Sequence, residues 1–157
     1  PRLLLQVIGP YEEANTQITS TVIPLLEKEG FQVTLYQPED FTTGFESVSQ
    51  FRSKYDAVLY LANVENRSNA TTTRINWYTF FGLGNNIPWF VDEVPTIFAS
   101  LGNPYHLMDV PMVKTYINAY DNHEAVIEAF VAKILGKSDF KGVSPIDPYC
   151  GLMDARK

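Results

Sequence analysis

The stretch Asp56-Ala-Val-Leu-Tyr-Leu-Ala-Asn63 decides the fold. Its interior is apolar or aromatic throughout, with none of the in-out alternation of a strand that has one wet face. It is too short for a helix and is bounded by Asp56 and Asn63, both turn formers. It therefore predicts a strand covered on both faces, as in a parallel sheet between two layers. Four further runs have the same character: Leu3–Ile8, Phe31–Tyr36, Thr96–Leu101 and Thr115–Tyr120. Each is short and closes on Gly, Pro, Asn or Asp.

Helical patterns lie between these runs. Ile18, Val22, Leu25 and Leu26 recur at helical spacing, with Asn15 as expected N-cap and Gly30 as C′ residue. Pro24 falls inside that pattern and should kink or interrupt it. Residues Glu46–Lys54 read as a shorter helix. The strongest pattern is Val126, Ile127, Phe130, Val131 and Ile134, closed by Gly136. Asp121 and Glu124 before it read as a capping box. Strands alternating with helices give an α/β class: a three-layer α/β/α, doubly wound, mainly parallel sheet of about five strands. The expected strand order is the flavodoxin-like 2-1-3-4-5.

The chain has 157 residues, which suits one domain, 1–157, and cannot hold a (β/α)₈ barrel of about 250 residues. A net charge of −6 argues against nucleic acid or an anionic membrane as main partner, since both need a basic footprint. No apolar run reaches the ~18–20 residues of a membrane span, and no targeting signal is read. Charged residues are 19% and aromatics 13%, a balance that leaves apolar surface for a partner. The segment 137–157 reads as an extended apolar tail: Gly142, Pro145, Pro148 and Gly151 break regular structure, while Phe140, Val143, Ile146, Tyr149 and Leu152 need something to pack on. Its own domain and a neighbouring one are both open as that surface. The start at Pro1 fits either loss of an initiator Met or a cut from a longer chain.

The chemistry is sparse. No G-x-G-x-x-G or Walker-type motif is present, and the Gly9 turn is followed by Glu12 and Glu13, which repel phosphate. Two His and one Cys match no zinc spacing, so no metal and no cofactor is expected. Ser100, His106 and Asp109 are close in sequence, but Ser100 sits in a strand run rather than in a G-x-S-x-G elbow. A carboxylate pair among Glu65, Asp92, Glu93 and Asp109 is a weak signal in a chain with eighteen acids. The densest segment is Arg74-Ile75-Asn76-Trp77-Tyr78-Thr79-Phe80-Phe81-Gly82. On a helix, Trp77 and Phe81 would share a face beside Arg74 and Asn76. That is either a buried aromatic stripe or a recognition surface for a sugar or a partner. The sequons Asn66-Arg67-Ser68 and Asn69-Ala70-Thr71 matter only in a eukaryotic secretory pathway. A stand-alone flavodoxin-like domain that recognises a sugar or a partner through Tyr11, Asn63, Asn103 and Tyr105 is the alternative from residues alone.

Several separated strings resemble one family. They are Asn103-Pro104-Tyr105-His106-Leu107-Met108-Asp109-Val110-Pro111, Lys114-Thr115-Tyr116-Ile117-Asn118-Ala119-Tyr120, Arg74-Ile75-Asn76-Trp77, Val94-Pro95-Thr96-Ile97 and Phe140-Lys141-Gly142-Val143-Ser144-Pro145. Together they resemble the C-terminal α/β domain of glycoside hydrolase family 3, in its bacterial β-N-acetylglucosaminidase (β-hexosaminidase) branch. The resemblance implies an accessory domain of a retaining exo-glycosidase, packed on an N-terminal TIM barrel of the same parent chain. It implies that the catalytic Asp and the Asp–His pair lie in that barrel near a K-H-x-P-G-type motif; this sequence has no Lys-His pair, so no catalytic residue carries over. It further implies an N-acetylglucosamine-containing glycan as partner, and a bacterial location, cytoplasmic or secreted, that follows the parent. The candidate interface or substrate-cleft residues are Arg74, Asn76, Trp77, Asn103, Tyr105, His106 and Asp109.

Overall fold

A computed structural model describes residues 1–37, 46–69, 73–77, 79–80, 83–84 and 86–152. In chain order its elements are β1 (Arg2–Ile8), α1 (Glu12–Lys28), β2 (Gln32–Leu35), α2 (Val48–Lys54), β3 (Ala57–Ala62), β4 (Thr79–Phe80), β5 (Leu83–Gly84), β6 (Thr96–Ser100), β7 (Thr115–Asn118) and α3 (Glu124–Ile134). Five strands form one sheet in the order β2-β1-β3-β6-β7, every pair parallel. With the small β4-β5 hairpin set aside, this is the expected order 2-1-3-4-5.

The central strand is β3, the stretch that sets the reading. From Val58 to Ala62 it is buried without a break. Its side chains alternate between two cores. Leu59 and Leu61 join Leu3, Leu5, Ala99 and Leu101 under α1 (Ile18, Val22, Leu26) and α3 (Ile127, Phe130, Val131). Val58, Tyr60 and Ala62 join Leu4 and Phe98 on the opposite face, with Phe51 from α2 and Phe90, Val94, Val110 and Val113. Among the described residues, α1 and α3 cover the first face, and α2 together with irregular chain from the β3–β6 and β6–β7 connections covers the second, which gives the expected three layers.

The helix ends also differ in part from the sequence reading. Helix α1 starts at Glu12 rather than after Asn15 and runs through Pro24 without interruption. Glu12 and Glu13 in its first turn suit the positive end of the helix dipole. Ser47 caps α2 through a full capping box with Gln50. Helix α3 has His123 as N-cap, so the Asp121–Glu124 capping box does not form. Asp121 instead accepts from the backbone N–H groups of Asn122 (2.6 Å) and His123 (3.0 Å). Both long helices close as expected on a left-handed glycine, Gly30 (φ 84°) and Gly136 (φ 71°). At each, paired backbone bonds complete a Schellman motif: Gly30 N–H to Glu27 and Phe31 N–H to Leu26, Gly136 N–H to Lys133 and Lys137 N–H to Ala132.

No helix among the described residues is long and apolar enough to cross a membrane. The tail packs on its own domain in part. Tyr149 is buried against its own domain, while Phe140, Val143 and Leu152 stay exposed. Residues 153–157 of the expected tail lie outside the described residues.

Candidate functional site

In open α/β sheets, ligands bind beyond the carboxyl ends of the strands, at the point where the strand order reverses. Here that point lies between β1 and β3, and amide side chains fill it. Asn63 donates from Nδ2 to Asn15 Oδ1 (3.2 Å) and accepts at Oδ1 from Asn122 Nδ2 (2.9 Å). Asn122 Nδ2 also reaches Glu65 Oε1 (3.1 Å), and Asn15 Nδ2 donates to the Gly9 carbonyl (2.9 Å). Asn63 is thus engaged through both amide atoms and is buried. On the rim, Arg67 lies over the Tyr11 ring at 3.9 Å. His123 holds its Nδ1 against Asp121 at 2.5 Å. This contact raises the histidine's pKa above its ordinary value and lowers that of Asp121.

A second cluster lies beyond the end of β6, and it gathers most of the residues singled out from sequence. A cavity of about 220 Å³ is lined by Arg74, Asn103, Tyr105 and Asp109, together with Asn66, Thr73, Met108 and Cys150. The β6–β7 connection makes a single 3₁₀ turn at His106–Met108, which brings His106 and Asp109 to the same side of that turn. Asp109 accepts from His106 Nδ1 at 3.0 Å and from the Ile75 backbone N–H at 3.4 Å. Its other oxygen accepts from Arg74 Nε. Thr73 Oγ1 donates to Asn66 Oδ1 (2.6 Å) and accepts from Asn103 Nδ2 (2.9 Å). Asn103 Oδ1 in turn accepts from the Tyr105 backbone N–H (2.9 Å).

Two expected members stand apart. Trp77 packs edge-on against Tyr60, with ring centroids 6.2 Å apart at 85°, and belongs to the second core. Asn76 beside it is exposed and does not line the cavity. Among the described residues, the expected helix face shared by Trp77 and Phe81 does not form. Residues 73–77 are irregular and β4 follows; Phe81 itself lies outside the described residues. Ser100 Oγ donates to the Asn103 carbonyl, so Ser100 does not form a triad with His106 and Asp109. The cluster presents a cation, amides, a hydroxyl and the half-exposed Tyr105 ring, groups suited to recognition of a polar ligand.

No protein-family model matches the sequence. A β-N-acetylglucosaminidase/β-glucosidase from Cellulomonas fimi is 41% identical over 133 residues, 84% of this chain and 23% of that protein. The solved β-glucoside phosphorylase BglX superposes with a TM-score of 0.80 at 41% identity, over 99% of this chain and 27% of its own. The chain belongs to glycoside hydrolase family 3, as its C-terminal domain. BglX bound to 2FGlc agrees, at TM-score 0.79 and 40% identity. A fungal multi-domain family 3 β-N-acetylglucosaminidase with a GCN5-related glucosamine N-acetyltransferase region reaches TM-score 0.52 at 19% identity, a likeness of fold alone. The family 3 domain described here spans about a quarter of the length of the first two relatives.

Sequence reasoning missed Asn66, Thr73, Met108 and Cys150 as members of the family 3 domain's cavity. Asn66 and Thr73 bound the polar stretch Glu65–Thr73, which reads only as a loop. Their pairing with Asn103 depends on how the β3–β6 and β6–β7 connections meet, and no local pattern encodes that. The Asn15–Asn63–Asn122 ladder has a faint sequence signal: Asn63 directly follows a buried run, and Asn15 and Asn122 lie near the start of a helix.

Proposed function

We propose that this family 3 domain is the accessory part of a retaining exo-glycosidase of the β-N-acetylglucosaminidase or β-hexosaminidase type. In this reading it packs on an N-terminal TIM barrel that carries the catalytic residues. The carboxyl-edge cluster of Arg74, Asn103, Tyr105, His106 and Asp109 then forms one wall of the cleft that holds an N-acetylglucosamine-containing glycan. The observation that carries the reading is the match itself: the domain aligns over most of its own length with about a quarter of a much longer β-N-acetylglucosaminidase/β-glucosidase. The recognition chemistry of the cluster supports it, since an exposed guanidinium, amides and a tyrosine ring suit a pyranose.

The test compares the 157-residue chain with a longer chain that supplies the N-terminal part, on chromogenic β-N-acetylglucosaminide and β-glucoside, with and without inorganic phosphate. The expected result is no turnover by the domain alone and turnover by the longer chain. Robust turnover by the pure domain overturns the reading. The phosphate arm separates hydrolysis from phosphorolysis, because one relative is named a glucosidase and the other a phosphorylase.

A further inference from the structure

The outward-facing Arg74 rests on a buried scaffold. The Arg74 side chain is 63% exposed, that of Asp109 7% and that of His106 1%. Burying a carboxylate and an imidazole is costly unless both are paired, and an exposed ion pair alone contributes little stability. Asp109 takes three donors on its two oxygens: Arg74 Nε, His106 Nδ1 and the Ile75 backbone N–H. Three donors from two separate connections fix the plane of the carboxylate. The pairing uses Nε, so among the described residues both Nη groups of Arg74 stay available to an oxygen-bearing ligand. A carboxylate only accepts, so His106 carries its proton on Nδ1, and its Nε2 is buried with no hydrogen-bond partner among the described residues.

We propose that His106 is a positioning residue: through Asp109 it holds the Arg74 guanidinium in one orientation at the mouth of the cavity. The contact group is Arg74; His106 acts only by fixing the carboxylate that fixes it. This rests on the reading of the cluster as a wall of a glycan cleft, and it adds which group meets the glycan oxygens and what aims that group.

The test uses the 157-residue chain with His106→Phe, which keeps the buried ring without the donor, and His106→Asn, which keeps an amide donor. Long-range ¹H–¹⁵N spectra of the unmodified chain should show the Nδ1–H tautomer of His106. The Arg74 Nε–H resonance should exchange slowly. In His106→Phe its exchange should speed up by about tenfold or more, the size of one lost charge-assisted hydrogen bond, while the amide spectrum stays folded. His106→Asn should restore slow exchange. An Nε2–H tautomer, or unchanged Arg74 exchange in His106→Phe, overturns the proposal. If His106→Phe does not fold, the tautomer and the His106→Asn exchange decide it alone. Arg74→Ala in the longer enzyme separates the two readings. An unchanged KM there removes the cleft reading and leaves the His106–Asp109–Arg74 relay standing.

Discussion

Asn15 reaches back over Gly9: its Nδ2 donates to the Gly9 carbonyl at 2.9 Å, and its Oδ1 lies 2.6 Å from where a Cβ on Gly9 would sit. The Asn63 carbonyl lies equally close to that point, at 2.6 Å. One neighbour is backbone and the other belongs to the amide ladder, so neither yields cheaply. Gly9→Ala should therefore destabilise the domain by about 1–3 kcal/mol, the usual range for overpacking. Urea unfolding checks this; a midpoint equal to that of the unmodified chain contradicts it. The same geometry explains why a strand-end glycine is present with no phosphate loop around it.

The fold was legible where burial dictates composition. The apolar run Ala57–Ala62 is continuous because both faces are covered, and β3 has the expected bounds. The glycines at 30 and 136 end α1 and α3 for a local reason, the left-handed backbone, which sequence can show. At the Trp77 segment the core packing agrees with a buried aromatic stripe, but residues 73–77 are irregular where a helix was expected, because aromatic spacing alone does not fix the backbone. Tertiary contact with Tyr60 holds Trp77 in that core. In the site, Asn103 and Tyr105 were legible as polar residues at a strand end, and Arg74 and Asp109 through the unusual segments that hold them. That Arg74 and Asp109 meet across 35 positions was not, because nothing local to either residue encodes the crossing of two connections.

Phe51 is the one buried residue of α2, and it stacks on Phe90 with ring centroids 4.1 Å apart. It ties α2, the one α-helix on the second face among the described residues, to the sheet. Phe51→Ala should cost about 3–5 kcal/mol, because it removes a buried ring and leaves a cavity beside Phe90 and Trp89. A loss below about 1 kcal/mol in denaturant unfolding would mean that irregular chain, not α2, seals that face.

Pro24 sits exposed inside α1 and supplies no N–H for the bond to the residue four back. The helix tolerates it because Ile18, Val22 and Leu26 anchor the turns on either side. Pro24→Ala should stabilise the domain by about 2 kcal/mol. This is the helix-interior penalty of about 3 kcal/mol less the unfolded-state restriction that proline imposes. A lower melting temperature in the variant would contradict this account.

Arg2 closes the amino edge of the sheet on Asp56. Its side chain donates to both carboxylate oxygens, and its backbone N–H donates to Oδ2 at 2.7 Å. The side-chain bond, then the backbone bond, hold the Asp56 pKa at about 2 against an ordinary 3.8. A depressed carboxylate stabilises fully above its unfolded value, and the contribution is lost as pH falls. Stability should therefore drop between pH 3.8 and about 2, and Asp56→Asn should flatten that part of the curve. Thermal melts at pH 7, 4 and 2 test this; equal slopes in both proteins would remove Asp56 as the source.

The tail holds both buried and exposed large apolar side chains. Tyr149 is 7% exposed, whereas Phe140 is 57% and Val143 90% exposed. Tyr149→Ala should destabilise the domain itself, by about 2–4 kcal/mol for a buried aromatic truncation. Phe140→Ser with Val143→Ser removes apolar surface that the folded domain leaves in water, so its unfolding free energy should stay within about 0.5 kcal/mol. If these side chains meet the N-terminal part of a family 3 parent, the same double variant should weaken association of the separately produced halves. Burying a Phe and a Val contributes about 1.5–3 kcal/mol each, so the loss should reach tenfold or more in Kd, about 1.4 kcal/mol. Calorimetric titration of the two halves reads it directly. Unchanged affinity alongside unchanged stability would place the docking surface elsewhere, with the Tyr11–Tyr105 carboxyl edge next to be tested.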